Sequence, residues 1–437
     1  MDGSGSRKLR WSHFHRGRCR VTSEYGWQAP LRPDWVVRVN AESSAIDPAA
    51  VVPLDAESLL AWAQRNTGLS DFGDEDWREP FEILLQGLET EAELHLLGRI
   101  AARAEILRWL ENRLQIQEVL RRHPEIHDEV INRPVFIIGI ARSGTTLLYE
   151  LLARDPRFRV LLGWEAVFPC PPPEAASYDI DPRIEKSERW LGHINRVVPE
   201  HESMHDIGAR IPMECGQIMV NSFISDQIAA FYHSPTYARW ITEHSWKSAY
   251  TYHRTILKIL QWKNPREHWL LKAPNHLDQI PELLRAYPDA RLIQTHRDPM
   301  KTIASVTSLL GTLASARSDR PFDSSAFEGL MMAQGVAQQL EQVIDLREEG
   351  LIREDAIVDI SYQQLLNDPQ GALEAAYEGL GLDFGAELAS ELRAFSESKT
   401  GASRDSHLYP DLPPERVARD RPLFSRYQAR YGVPDEV

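Results

Sequence analysis

Apolar positions follow two regimes along the chain. From Asp55 to about His127 they recur at three- and four-residue steps, as in Leu59, Leu60 and Trp62, then Phe81, Ile83, Leu84 and Leu88, then Ile106, Leu107, Leu110 and Leu114. Glu and Arg fill the gaps, which predicts amphipathic helices packed on one face. Beyond them, short β-rich runs alternate with helical patterns. Val135 to Ile138, Trp269 to Leu271, Arg291 to Thr295 and Ala356 to Ile360 read as strands buried on both faces. This alternation predicts an α/β fold with a parallel sheet wrapped by helices in three layers. Ligands of such sheets sit at the carboxyl ends of the strands.

The same pattern divides the chain. Residues 1–50 carry Gly, Ser and Pro without a sustained period and read as an irregular leader, 51–130 as a helical extension, and 131–437 as the α/β domain. An insertion at about 165–265 is rich in aromatics: Phe223, Phe231, Tyr232, Tyr237, Trp240, Trp246, Tyr250, Tyr252 and Trp262. Most are expected in helical core, with part of the stretch lining an apolar pocket.

Composition narrows the functions. A chain of 437 residues with 43% hydrophobic content buries a large core. The net charge of −15 argues against a nucleic-acid partner, so any polyanionic ligand must be held by a local basic pocket. Cys19, Cys170 and Cys215 match no metal or redox spacing and read as thiols in a reducing compartment. No stretch is apolar for the roughly 20 residues that a membrane span needs. The expectation is a cytoplasmic protein. The leader nonetheless places Arg7, Lys8, Arg10, Arg16, Arg18 and Arg20 around Trp11 and Phe14, a composition suited to peripheral contact with the inner membrane face.

Two runs carry candidate chemistry. The first strand leads into Gly139-Ile-Ala-Arg142-Ser143-Gly144-Thr145-Thr146 and then a helix. Gly139 and Gly144 keep the spacing of a nucleoside-triphosphate loop, but Thr145 stands where that loop carries its lysine. A glycine turn with a helix N-terminus still holds a phosphate. In the second run, a strand ends at Arg297-Asp298-Pro299 and Ser305 follows about two turns along a helix. Arg grips a phosphate bidentately, and a hydroxyl completes the shell.

Together the two runs resemble the PAPS-dependent sulfotransferases, in the form found in bacterial and tyrosylprotein members. Arg142 to Thr146 is similar to their 5′-phosphosulfate loop, and Arg297 with Ser305 to their 3′-phosphate motif. Ser361-Tyr362 through Pro369 is similar to a later Tyr-x-x-Leu segment. The resemblance covers about 134–435 and leaves 1–130 unexplained. It implies 3′-phosphoadenosine 5′-phosphosulfate (PAPS) as co-substrate, no metal, and transfer of its sulfonate to a hydroxyl of a small or lipidic acceptor.

It also implies roles. Arg142, Ser143, Gly144, Thr145 and Thr146 would hold the 5′ end, with Arg142 also beside the reacting group, and Arg297 and Ser305 the 3′-phosphate. Tyr362 and Arg404 would touch the nucleotide, the latter near His407 and Tyr409. Glu165, in Gly163-Trp-Glu, resembles the family's general base across a two-residue insertion. Lys272 resembles the strand-end lysine that neutralises the transferring group, and His276 is a competing base. His296-Arg297-Asp298 mimics a protein-kinase triplet but lacks the companion motifs. The rivals are a nucleotide kinase or NTPase with a degenerate loop and a non-catalytic nucleotide-binding protein. The sequence leaves the oligomeric state open.

Overall fold

A computed structural model describes residues 27–327, 329–401 and 411–437. Five parallel strands form one sheet: β1 (Val135–Ile138), β2 (Phe158–Val160), β3 (His268–Lys272), β4 (Arg291–His296) and β5 (Ile357–Ser361), in the spatial order β2-β3-β1-β4-β5. Side chains alternate across the sheet as a period of two demands. Val135 and Ile137 face one apolar cluster with Leu148, Leu151 and Leu373, whereas Phe136 and Ile138 face another with Leu257, Ile280 and Met300. The expected three layers are therefore present.

Four of the strands lie where the hydrophobic runs place them. Burial on both faces fails for β5, whose Asp359 is exposed, because β5 is an edge of the sheet. The other edge, β2, has no counterpart in the sequence reading. It is three residues long with Arg159 at its centre, too short and too polar to register as a strand.

The expected helical extension is the helices Ala56–Thr67, Arg78–Thr90 and Leu96–Arg122. Its Leu59, Phe81, Trp109 and Leu114 share one core with the sheet and with Phe223, Tyr237 and Trp246 of the aromatic insertion. Trp77, Phe81 and Trp109 all stack around Phe223, with ring centroids 5.0–5.7 Å apart. The extension is thus continuous with the core of the α/β domain. Part of the stretch expected to be irregular is also helical, at Asp34–Glu42 and Pro48–Val51. Only Val36 of the first is buried and no residue of the second, so neither leaves an apolar period. The basic leader lies outside the described residues. Among those described, no helix is long and apolar enough to cross a membrane.

Candidate functional site

The loop after β1 is held open by its backbone. Gly139 (φ 147°), Arg142 (φ 70°) and Gly144 (φ 94°) all take positive φ, a region costly to a side-chain-bearing residue such as Arg142. Donation from Arg297 Nη1 to the Arg142 carbonyl at 3.0 Å holds the loop there. A Cβ on Gly139 would lie 2.4 Å from Thr295 Oγ1, and one on Gly144 2.7 Å from the Tyr362 ring. Both positions are thus restricted to glycine by space as well as by φ. The helix Thr145–Leu152 starts at once, so its first N–H groups, which have no intrahelical acceptor, face the turn. Gly144, Thr145, Thr146 and Arg142 line a cavity of about 1100 Å³. Ser143 does not contact the cavity: its hydroxyl is buried, donating to the Ile140 carbonyl at 2.6 Å and paired with Thr295 Oγ1 at 2.7 Å. In the folded chain that hydroxyl braces the turn.

Register brings Lys272 to the loop. It pairs with Ile137 across β1 and β3, and its Nζ donates to Thr146 Oγ1 at 3.2 Å and to Glu214 Oε1 at 2.6 Å. Glu214 lines the cavity. It is set in place by its neighbour, since the Cys215 N–H donates to the Lys272 carbonyl at 2.9 Å. Desolvation pushes the Glu214 carboxyl up, but the Lys272 ammonium and nearby His205 outweigh it and hold the group below its usual range. Sequence reasoning missed Glu214. Its one signal is remote: it is an acidic residue in the insertion, with no period or motif around it.

The second run folds back onto the first. Arg142 Nε donates to Ser305 Oγ at 3.1 Å and its Nη1 to the Met204 carbonyl at 3.1 Å. Arg297 lies over the Tyr362 ring, 4.0 Å from its centroid, and Arg142, Arg297, Ser305 and Tyr362 all line the same cavity. The Nε–Nη2 edge of Arg297 grips the Glu436 carboxylate, with contacts of 2.8–3.1 Å. This edge therefore accepts a bidentate anion in the folded chain. The neighbouring residues are structural. Asp298 caps the helix Pro299–Ser315 by accepting from Met300 N, and His296 is buried between Asp359 and Tyr427.

Both expected bases are displaced. Glu165 is fully buried, taking Arg159 on both oxygens, with Tyr178 donating at 2.9 Å and the Leu162 N–H at 3.2 Å. It does not line the cavity. Between loop and glutamate lies β2, which carries the arginine that captures it. His276 is also fully buried, with Nδ1 against the Tyr250 hydroxyl at 2.7 Å and its ring edge-on to Phe136. Burial, with His253 beside it, keeps it well below the usual histidine range. It packs against the sheet, away from the cavity. Arg404, His407 and Tyr409 lie outside the described residues.

The remainder of the cavity is largely apolar. Leu97, Ile100, Ala101 and Ala104 come from the helical extension, Trp190, Ile194 and Val197 from the insertion, and Leu309, Leu310 and Leu313 from the helix after β4. Of the nine aromatics named in the insertion, Phe231 alone lines it; Phe223, Tyr232, Tyr237, Trp246 and Tyr250 are core.

A family model described as "Sulfotransferase family" matches residues 134–386. Curated relatives from Mycobacterium bovis and Mycobacterium tuberculosis, named omega-hydroxy-beta-dihydromenaquinone-9 sulfotransferase Stf3, are 26% identical over 266 residues. That match covers 58% of this chain and 64% of theirs, so the chain spans less than two thirds of their length. The crystal structure of sulfotransferase STF1 from Mycobacterium tuberculosis superposes with a TM-score of 0.72 at 27% identity, covering 86% of this chain and 98% of that one. The structure of STF9 from Mycobacterium avium superposes equally well, covering 87% and 97% at 27% identity.

Proposed function

We propose that this chain, which belongs to the sulfotransferase family, moves the sulfonate of PAPS to a hydroxyl of a small or lipidic acceptor, leaving 3′,5′-ADP. The observation that supports this most is convergence. The lysine-less loop, the Arg297–Ser305 pair and Glu214, which holds Lys272, all meet one cavity whose other walls are largely apolar. The residues present fit the donor: Gly144, Thr145 and Thr146 at the start of a helix line the cavity, and Glu436 already stands on Arg297 as an anion would. When bound, the donor supplies an activated sulfur–oxygen bond.

In this reading Arg142, Gly144, Thr145 and Thr146 hold the 5′ end, Arg297 and Ser305 the 3′-phosphate, and Tyr362 packs beside it. Lys272 places its ammonium against both the loop and the candidate base, so it offsets charge growing on the leaving phosphate and the sulfonyl oxygens. Glu214 takes the proton of the attacking hydroxyl as the oxygen–sulfur bond forms. Its acidity in the resting site is set by Lys272. Once that ammonium turns to the transferring group, desolvation remains and the carboxylate becomes a stronger base. The acceptor class draws support from the apolar wall and from the Stf3 relatives, whose name gives an omega-hydroxylated menaquinone derivative. A water-insoluble alcohol is met at a membrane surface, so the protein works in the cytoplasm at the inner membrane face. Co-sedimentation with anionic vesicles tests this last point.

The direct test pairs calorimetry with turnover. The chain should bind 3′,5′-ADP in preference to ATP with Mg²⁺, and should label a lipid alcohol from radiolabelled PAPS. Lys272→Met should lower kcat about a hundredfold to a thousandfold while keeping 3′,5′-ADP affinity. Preference for ATP defeats the reading, and near-normal turnover in Lys272→Met removes the lysine from it.

A further inference from the structure

One stretch of the cavity wall carries a charge that the transfer chemistry does not use. On the helix Leu96–Arg122, the cavity-facing stripe runs through Leu97, Ile100, Ala101 and Ala104 and ends in Glu105 and Arg108. The eleven helical steps from Leu97 to Arg108 make this stripe about 16 Å long. Arg317 and His193 line the cavity as well. Arg317 Nη2 donates to Glu105 Oε1 at 2.7 Å, and the Tyr232 hydroxyl donates to the other oxygen. Glu105 is thereby committed to Arg317.

Arg108 is left over. It is 6% exposed, as is Arg317. Its Nη1 donates to the Val167 carbonyl at 3.0 Å, its Nε has no hydrogen-bond partner, and its guanidinium lies 5.2 Å from the Trp190 ring centroid. The carbonyl does not depend on it, because Asn112 Nδ2 donates to the same oxygen at 3.0 Å. Two buried guanidiniums thus face one carboxylate, and the excess positive charge lies in an apolar wall. Buried charges are normally paired, since an unpaired one carries a desolvation cost. The strain is registered on Arg108 itself: burial pushes it down to about 10, with Glu105 and the Tyr232 hydroxyl opposing. Val167 and Trp190 belong to neither the loop nor the Lys272–Glu214 pair, so this is a separate station of the same cavity.

We infer that Arg108 receives a carboxylate borne by the acceptor. The acceptor class is then a hydroxy acid amphiphile, with its hydroxyl at the transfer site and an apolar chain leading to the anionic group at Arg108. A guanidinium suits a carboxylate because its fork matches the two oxygens. Trp190 lies against the guanidinium, 5.2 Å from it, and Arg108 borders the cavity. The inference rests on the sulfonyl-transfer reading only for the role given to the hydroxyl.

Binding, without donor, tests it independently of turnover. By calorimetry on the full chain, ω-hydroxydodecanoate should bind at least about tenfold more tightly than dodecane-α,ω-diol, as expected of a charge-assisted pair. Arg108→Gln should abolish that preference and leave diol affinity within about twofold. Arg108→Lys, which keeps the charge but loses the fork, should retain part of it and covers the case in which Arg108→Gln does not fold. Equal affinity for acid and diol, no binding of the acid, or a preference that survives in Arg108→Gln would each overturn the inference. Acid binding that depends on Arg108, with no sulfonate transferred to any hydroxyl, would instead count against the sulfotransferase activity and leave this station standing.

Discussion

Glu165→Gln separates a structural carboxylate from a chemical one. In the folded chain Glu165 and Arg159 are 0% and 4% exposed and share two contacts, and the arginine's remaining partners are neutral: the Val160, Leu260 and Asn264 carbonyls and the Tyr178 hydroxyl. Removing the negative charge leaves a guanidinium in the interior with nothing to balance it. Breaking such a pair from one side costs about 3–5 kcal/mol. For a chain of this length the unfolding entropy near the midpoint is about 0.9 kcal/mol per kelvin. The substitution should therefore lower Tm by about 3–5 °C in scanning calorimetry. Turnover per folded molecule below the transition should stay within about threefold of wild type, because the reacting atoms lose nothing. Glu214→Gln should do the reverse, lowering kcat by about 10²–10⁴ with 3′,5′-ADP affinity kept, since Thr146 and a neutral oxygen still hold Lys272. The reasoning fails if Glu165→Gln keeps its Tm and loses its turnover, which would return the base to Glu165.

Gly144→Ala places a Cβ 2.7 Å from the Tyr362 ring at φ 94°, so 3′,5′-ADP affinity should fall at least about tenfold, with a stability loss of about 1 kcal/mol or more; calorimetry showing unchanged affinity would mean that the turn is not the anion cradle. Asp226 supplies a pH signature. Burial, reinforced by nearby Glu214, pushes it up to about 7 from an ordinary 3.8, so the folded chain keeps a proton that the unfolded chain releases. Its contribution to stability is full below 3.8 and is lost as pH rises towards about 7. Urea midpoints should show that decline in the wild type and a flatter profile in Asp226→Asn, and identical profiles would refute the assignment.

The parts of the site legible in the sequence are those made by consecutive residues. A loop between a strand and a helix keeps its glycines and hydroxyls in one run, and Arg297 keeps a fixed offset from Ser305 because it ends the turn into the helix Pro299–Ser315 that carries Ser305. Lys272 was legible because it ends a buried strand. Glu214 was not, because its place comes from its neighbour's backbone bond, Cys215 N–H to the Lys272 carbonyl, and its ion pair with Lys272 joins residues 58 apart along the chain. Glu165 shows the opposite failure: the right residue type at nearly the right offset, captured by Arg159 on a strand too short to be seen. His276 was read by residue type, and only packing shows that its ring turns to Phe136 and Tyr250. The extension's helices were visible by period, but their role in the cavity was hidden, since a period reports which face is buried and not what it is buried against.

The helix Leu96–Arg122 has a double duty with an evolutionary consequence. On one face Trp109 and Leu114 anchor the common core, and on another Leu97 to Arg108 shape the ligand chamber. Enzymes that choose substrates with surface loops can exchange those loops freely. In the proposed function selectivity and foldability share one rigid rod, so a lineage that shifts to a new acceptor must pass through variants of reduced stability. Relatives that diverge in this helix should carry compensating changes around Phe223, where the rod meets the rest of the molecule.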